Sequence, residues 1–374
     1  MSRAPFAAAA RPLLQSTIFA PKRWALALAA CAALIAGPQA YAQDETLEPS
    51  DRHGAPPERR AERATLALVN ENDLWGGTDR AYTNGLLVSY LSAPNTAPKW
   101  VRDAAAFLPF VSDNSSLRRG FGVGQSIFTP EDIDTATPLD GQRPYAGWLY
   151  GAFTLVSARD WDLERPDRRA SVVNTLQINA GVVGPLAFGE QVQNSWHRLI
   201  GAERAAGWDN QLGNEPGLQL LYERRYRGLV ETDLGGLDLS IEPHLGASLG
   251  NVATYGAAGF TVRAGRNLTS DFGPPRIRPA LAGASFFARE QDVNAYIFGG
   301  IEARGVARNI FLDGNTFRTS QSVEKRNYVG DAQVGLAVQL GRAQAAFTYV
   351  YRLEEYDGQP SPDRFGAVSL QIKI

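Results

Sequence analysis

The 374-residue sequence contains one cysteine, one methionine and three histidines, and these scarcities narrow its chemistry. The cysteine, Cys31, lies in an amino-terminal segment that we expect to be removed. Without it, the mature chain can form no disulfide bond, no thiol nucleophile and no cysteine-ligated metal site. Basic runs are scarce as well, and the net charge is −2, which argues against nucleic-acid binding.

The longest apolar run lies at the amino terminus, where it has the form of a secretory signal peptide. Basic residues precede an apolar run over residues 24–36, and Ala-Tyr-Ala follows at 40–42. This order predicts a signal peptide over residues 1–42, with a lipoprotein cleavage box at 28–31 as the less favoured alternative. Residues 43–63 are polar and contain proline, which predicts a disordered lead-in.

After residue 42, no apolar run reaches the about 20 residues that a membrane-spanning helix needs. An exported chain of this kind is either soluble or a transmembrane β-barrel, because barrel strands turn only every second residue towards lipid. Between residues 172 and 182 the even positions are apolar apart from Asn174, and 237–249 and 332–340 alternate similarly. Such lengths fit barrel strands of about 9–11 residues better than sandwich strands of about 5–6.

Twelve stretches of this kind predict an all-β fold, a transmembrane antiparallel β-barrel of about 12 strands in the bacterial outer membrane, formed by residues 64–374. They cover residues 64–73, 80–92, 118–128, 144–158, 171–183, 215–227, 235–249, 251–264, 292–308, 326–340, 343–354 and 364–374. The spacing of these stretches predicts tight turns at Gly250 and at residues 341–342. It predicts long connections over residues 93–117, 129–143, 184–214, 265–291 and 309–325. We expect the short turns at the periplasmic end and the long loops outside. Pro243, on the apolar side of its strand, predicts an irregularity in the ladder.

One long connection replaces the alternation with a helical pattern. Its apolar residues fall at helical spacing: Val192, Trp196, Leu199 and Ile200. The pattern predicts a short helix over residues 189–201 in an extracellular loop, which Gly201 ends. His197 lies among the apolar residues, and Glu203 follows the helix. A helix that carries a rare titratable residue indicates chemistry, although a helix that plugs or covers the barrel has the same pattern.

The first predicted hairpin gathers carboxylates, amides and hydroxyls, among them Asn72, Asp73 and Thr83. Hard oxygen ligands of this kind suit calcium, and an Asx-rich loop that caps its own backbone has the same composition. Adjacent strand residues point to opposite faces. Asn72 and Asp73 can therefore serve one site only if the strand bulges or ends there.

Other polar residues can be interpreted either as structural residues or as functional ones. Arg143 is a candidate for binding an anionic substrate, and a rim arginine beside lipid headgroups is the equal alternative. For His244 we favour a hydrogen-bonded position in the lumen, and for Glu302 and Arg304 a lumen ion pair. The sequence contains no H-E-x-x-H and no P-loop motif.

A set of motifs resembles the outer-membrane lipid A 3′-O-deacylase family, LpxR. The motifs are Asn72-Asp73, Tyr82-Thr83-x-Gly85, Gly141-x-Arg143, Gly184-Pro185 and Q-x-Q-N-x-x-H-R-x-I-G-A-E from Gln191 to Glu203. The resemblance spans nearly the whole mature chain. It implies a calcium-dependent carboxylic ester hydrolase that removes an acyl or acyloxyacyl chain from lipid A of lipopolysaccharide in the outer leaflet. It also implies a twelve-stranded barrel with the site between the barrel wall and a loop helix, and we expect a monomer.

The resemblance also implies roles for individual residues. His197 would be the general base that activates water. Asn72, Asp73 and Thr83 would form the polar, ion-binding part of the site. Glu203 would support the ion or the histidine, which it can reach only if the chain turns at Gly201.

Two alternatives to this function stay open. One is a non-catalytic barrel, a porin-like or structural protein whose helix plugs the lumen. The other is an outer-membrane phospholipase with the same ester chemistry. The loop 129–142 contains no lysine or arginine and carries acidic residues instead, which leaves the lipid headgroup open.

Overall fold

The computed structural model describes residues 63–76, 81–112, 114–160, 171–233, 235–266, 268, 287 and 291–374. The predicted signal peptide, residues 1–42, and the lead-in up to residue 62 lie outside the described residues. Among the described residues, no helix is long and apolar enough to span a membrane.

The described chain consists mainly of antiparallel strands, as the alternating pattern predicts. They are β1 (Thr65–Asn72), β2 (Ala81–Leu91), β3 (Ser116–Thr129), β4 (Ala146–Asp160), β5 (Ser171–Val183), β6 (Glu215–Arg227), β7 (Val230–Asp233), β8 (Asp238–Gly250), β9 (Ala253–Gly265), β10 (Gln291–Asn309), β11 (Tyr328–Gly341), β12 (Ala343–Arg352) and β13 (Asp363–Lys373). The helices are α1 (Lys99–Ala105), α2 (Gly189–Ile200) and the single turn α3 (Ile310–Asp313). The twelve predicted strands and the predicted helix are confirmed.

The sheet closes into a barrel of twelve spanning strands, because β1 pairs with β13 and β6 pairs with β8. The additional short strand β7 continues β6 along β8. Arg225 pairs with His244, and Val230 pairs with Ile241. The chain therefore advances five residues from β6 to β7 while β8 advances three. This irregularity lies opposite Pro243, which cannot donate a ladder hydrogen bond.

The outer face of the wall is apolar. Exposed apolar side chains occupy alternate strand positions, including Leu66, Leu68, Leu86, Val88, Phe121, Val123, Ile178, Leu218, Leu220, Leu245, Leu249, Ile297, Ile301, Val334, Leu370 and Ile372. The residues between them are buried and polar, as Gln177 and Asn179 are beside Ile178. Apolar side chains are thus exposed and polar side chains buried, the reverse of a soluble protein, as a barrel in lipid requires.

Buried ionic side chains occupy the interior. Arg304 and Arg352 both bind Asp331 at 2.9–3.0 Å, and Nε2 of His244 lies 2.8 Å from Oε2 of Glu302. The predicted lumen positions of His244, Glu302 and Arg304 are therefore confirmed. Arg304 and Glu302 lie 3.9 Å apart, so each has a closer partner than the other.

The expected separation of long and short connections is wrong. Strand alternation places residues 73–76, 130–145, 184–214, 310–327 and the tight turn 251–252 at one end of the barrel, which we call the cleft end. The long connection 92–115 lies at the opposite end, with the end of β9, the start of β10 and both ends of the strand-forming chain. The length of a connection therefore does not reveal at which end of the barrel it lies. The connection 92–115 is long because it contains α1.

Candidate active site

The end of strand β1 brings two neighbouring polar residues to one place. The strand ends at Asn72, and Asp73 begins a 3₁₀ turn that continues to Gly76. The side-chain oxygen of Asn72 accepts a hydrogen bond of 2.9 Å from the main-chain N–H of Leu74, which stabilises the turn. Because the extended conformation stops here, Asn72 and Asp73 line the same cavity despite their opposite parity.

A bulge in β2 positions the third polar residue. Tyr82 pairs with Phe128 and Asn84 pairs with Ile127, so Thr83 is an extra residue in its strand. Such a bulge redirects a side chain. The hydroxyl of Thr83 lies 2.8 Å from that of Thr129.

Gly85 allows a buried contact beneath the bulge. The Tyr82 hydroxyl donates a hydrogen bond to the carboxylate of Glu71. A Cβ atom at Gly85 would stand 2.0 Å from that hydroxyl oxygen, so only glycine leaves room for it. Tyr82 and Gly85 of the Tyr82-Thr83-x-Gly85 motif therefore have a packing explanation.

Helix α2 forms the opposite side of the site. It ends at Gly201, whose φ of +74° favours glycine, and the N–H of Ala202 donates to the carbonyl of His197 at 2.9 Å. The Oε1 atom of Gln193 accepts a hydrogen bond of 2.8 Å from the Trp208 indole, in the segment after the helix. The helix and the chain that returns from it are thus joined across one turn.

The His197 side chain is 2% exposed and faces this turn. Its Nδ1 meets the main-chain carbonyl oxygen of Glu203. A carbonyl oxygen can only accept a hydrogen bond, so this contact selects the tautomer that carries its proton on Nδ1. The turn at Gly201 makes this contact possible, because six residues along a straight helix would separate the two groups.

These elements enclose a cleft with about 280 Å³ of empty space, part of it open to solvent. It is lined by Asn72, Asp73, Leu74, Thr83, Asn84, Gln193, Trp196 and His197. Four of the predicted site residues thus meet: Asn72, Asp73, Thr83 and His197. The fifth, Glu203, contacts the histidine through its main chain, while its side chain is exposed.

Arg143 does not line the cleft. It is 1% exposed, and its guanidinium lies 3.3 Å from Glu355, 4.0 Å from Asp363 and over the ring of Phe128. Burial raises the pKa of Glu355, but Arg352 and Arg143 outweigh it and hold that pKa below its usual value. Arg143 therefore joins the interior ion-pair network, and the structure does not place it for substrate contact.

Gln193 is a cleft residue that the sequence reasoning missed. It precedes His197 by four residues, and this helical spacing puts both side chains on one face. Its Nε2 donor is buried and has no hydrogen-bond partner among the described residues. The i, i+4 relation to His197 was the signal that could have found it.

Fold and cleft together define an outer-membrane β-barrel with a histidine and several oxygen donors gathered at one end. The family model described as "Outer membrane protein LpxR" matches residues 26–374. The chain therefore belongs to the LpxR family of outer membrane proteins.

The fold agrees with that of a solved structure of the same family name. LpxR from Salmonella typhimurium is 22% identical, with a TM-score of 0.67, over 83% of this chain and 100% of that chain. The beta domain of the Bordetella autotransporter Brka is 8% identical with a TM-score of 0.38, over 84% and 100% of the two chains. The NalP translocator domain from Neisseria meningitidis is 10% identical with a TM-score of 0.38, over 96% and 100%. No curated protein matches the sequence.

Proposed function

We propose that this protein is a lipid A deacylase, a carboxylic ester hydrolase that removes a 3′-O-linked acyl or acyloxyacyl chain from lipopolysaccharide. Membership of the LpxR family supports the substrate class. The observation that carries the chemistry is the contact between His197 Nδ1 and the Glu203 carbonyl, in a cleft that also contains Asp73. The cleft end of the barrel would face the outer leaflet.

In this proposal His197 acts as a general base. Its Nε2 accepts a proton from water, and the water oxygen attacks the carbonyl carbon of the ester. The tetrahedral intermediate then expels the sugar oxygen, which takes back the proton as an alcohol, and the fatty acid leaves. The Glu203 carbonyl stabilises the imidazolium that forms, because it accepts the Nδ1 proton throughout.

The donor set of the cleft fits a hard cation such as calcium. Asp73 offers a carboxylate, Asn72 an amide oxygen and Thr83 a hydroxyl, all of them oxygen ligands. The oxygens of Asn72 and Thr83 each make one hydrogen bond and keep a second lone pair. Among the described residues that line the cleft, Asp73 alone carries a carboxylate, and it would be the charged ligand of the ion.

Calcium held there would polarise the ester carbonyl and offset the charge of the oxyanion. Gln193 would assist, because its buried Nε2 is a donor that lines the cleft and has no partner in the described chain. Glu203 reaches the site through its main chain, so we assign it to the histidine and not to the ion.

An exposed apolar ridge on α2 supports a lipid substrate. Val192, Trp196 and Leu199 follow one another at i, i+4 and i+7, and Leu199 is 76% exposed. Trp196 also lines the cleft, so the ridge leads directly to the histidine. A helix that buries Gln193 and His197 and exposes its apolar side is arranged for contact with acyl chains.

The ridge gives a kinetic prediction. Leu199→Ser removes an apolar contact to the acyl chain outside the cleft, so KM should rise about tenfold with little change in kcat. The measurement is steady-state hydrolysis in mixed micelles with lipid A as substrate. Gln191→Ser, an exposed polar position on the same helix, is the matched control and should behave as the wild type. An unchanged KM for Leu199→Ser would remove the ridge from substrate binding.

The porin-like alternative has a different expectation. Buried side chains line the lumen, among them Gln219, Glu242, Arg263 and Arg352, and each is at most 1% exposed. Side chains of a water-filled channel would be accessible. We therefore expect the purified barrel in planar bilayers to show no conductance above background, and stable conductance steps would favour the porin-like function.

The substrate class is tested with purified, folded protein and calcium. Hexa-acylated lipid A and phosphatidylglycerol are supplied in parallel, and the products are identified by mass spectrometry. The proposal predicts loss of one acyl or acyloxyacyl chain from lipid A and little fatty acid from phosphatidylglycerol. Release from phosphatidylglycerol alone would identify a phospholipase, and no release from either would contradict ester hydrolysis.

A further inference from the structure

A segment of the β2–β3 connection packs on the outside of the barrel, at the end opposite the cleft. We call residues 97–111, which contain α1, the collar. Its buried residues Ala97, Val101 and Ala105 recur every four residues and form one cluster with Leu117 and Leu155. Leu117 has the same parity as Phe121 and Val123, which are exposed on the outer face of β3. The collar therefore covers the outer wall and not the lumen.

The collar continues across the wall towards β6. The ring of Phe110 lies 5.1 Å from that of Tyr222, and the hydroxyl of Ser157 donates to the Phe110 carbonyl at 3.3 Å. Tyr222 has the same parity as the exposed Leu218 and Leu220 of β6. The collar thus contacts the outer side of strands β3, β4 and β6.

Three successive outward rows of paired residues change character under the collar. The first is apolar: Phe121, Phe153, Ile178 and Leu220. The second is mixed: Arg119, Leu155, Leu176 and Tyr222. The third is mostly polar: Leu117, Ser157, Asn174 and Arg224. A lipid-facing wall makes this transition where the hydrocarbon region meets the headgroups.

Two large apolar side chains of the collar are exposed, although its smaller apolar side chains are buried against the wall. Trp100 is 68% exposed and Phe107 is 89% exposed. Tryptophan and phenylalanine on a short amphipathic segment are typical of a helix that lies in the membrane interface. The exposed side chains extend the apolar surface of the wall.

Two outward arginines lie beside the collar. Arg119 lies over the ring of Phe121, its Nε is buried without a hydrogen-bond partner, and no described carboxylate pairs with it. Arg224 bonds to the amide oxygen of Asn174 at 2.8 Å, again without a described carboxylate partner. Phosphate is the anion that the headgroup region supplies to such groups.

We propose that the collar is an interfacial lipid-binding element of the leaflet opposite the cleft. Trp100 and Phe107 insert beside the acyl chains, and Arg119 and Arg224 bind phospholipid phosphates. The collar would fix the depth of the barrel in the membrane. This role is independent of the ester chemistry at the other end.

The test places a fluorescent label on the collar. The mature chain that we expect has no cysteine, so bimane is attached at a single site through Phe107→Cys or, as control, through Asp140→Cys at the cleft end. The barrel is reconstituted in phosphatidylethanolamine and phosphatidylglycerol with brominated acyl chains. Because an interfacial helix buries its apolar side about 5–10 Å below the headgroups, we expect the label at 107 to lose roughly half of its emission and the control to lose little.

A second arm tests the arginines. With bromine on phosphatidylglycerol alone, in a phosphatidylcholine background, each arginine should enrich the quencher about fivefold at the collar. The double variant Arg119→Gln/Arg224→Gln should lose that preference while remaining quenched when every lipid is brominated. Equal quenching of the labels at 107 and 140 would overturn the proposal, as would an unchanged lipid preference. Cross-linking between two chains at 107 without quenching would assign the face to a second copy and also overturn it.

Discussion

His197→Ala is expected to reduce lipid A deacylation about 10³-fold, because a general base contributes about 10²–10⁴ in rate. Alanine removes Nε2 and also the Nδ1 contact to the Glu203 carbonyl. The barrel should remain folded, since His197 lies in the loop helix and outside the strand ladders. The measurement is the initial rate of acyl release by purified enzyme, with heat-modifiable gel mobility as the check on folding.

Glu203→Ala is the matched control for this variant. The main-chain oxygen of residue 203 meets the histidine, and the side chain is exposed, so alanine keeps the contact. We expect activity within about threefold of the wild type, as for most exposed substitutions. Full activity of His197→Ala would contradict the general-base assignment, and inactivity of Glu203→Ala would give the carboxylate a role of its own.

Asp73→Asn should have the second largest effect, a loss of about 10²–10³-fold in activity. Asparagine has nearly the same shape but removes the one negative charge among the oxygen donors that we assign to calcium. Calcium affinity should fall with it, because affinity follows the number of charged ligands. Titration calorimetry with calcium reads the affinity without reference to catalysis.

Asp132→Asn is the control for the charge change. Asp132 is an exposed carboxylate at the same end of the barrel, bonded to Thr135 of its own loop, and it does not line the cleft. We expect its calcium titration and activity to match the wild type. Equal calcium binding by Asp73→Asn and the wild type would remove Asp73 from the ion site, whatever its effect on rate.

The strands of the barrel wall were predictable because every second residue must face lipid and therefore be apolar. Lipid outside and polar side chains inside impose a period of two, which Ile178 and its neighbours Gln177 and Asn179 show. The strand β7 was not predictable, because four residues are too short to show a period. The collar was missed for a similar reason, since α1 contains only seven residues.

The meeting of cleft residues was predictable where they are close in sequence. Asn72 and Asp73 meet because β1 ends between them, and His197 meets the Glu203 carbonyl because Gly201 turns the chain. Sequence could suggest Glu203 but not that its main-chain oxygen makes the contact.

Contacts between distant segments could not be read from the sequence. The partner of Arg143, Glu355, is 212 residues away, and no local pattern indicates such an ion pair. From the sequence alone, Arg143 lies close to other site motifs and suggests substrate binding. The structure shows that it pairs with Glu355 instead. The same limit explains why the bond between Gln193 and Trp208 was not foreseen.

Mass spectrometry of lipid A from cells that produce the wild type or His197→Ala tests the central claim most directly. With both barrels folded in the outer membrane, the account predicts that lipid A loses one acyl or acyloxyacyl chain only in cells with the wild type. The same loss with His197→Ala would contradict the histidine mechanism. Unchanged lipid A in both cultures would contradict the deacylase function itself.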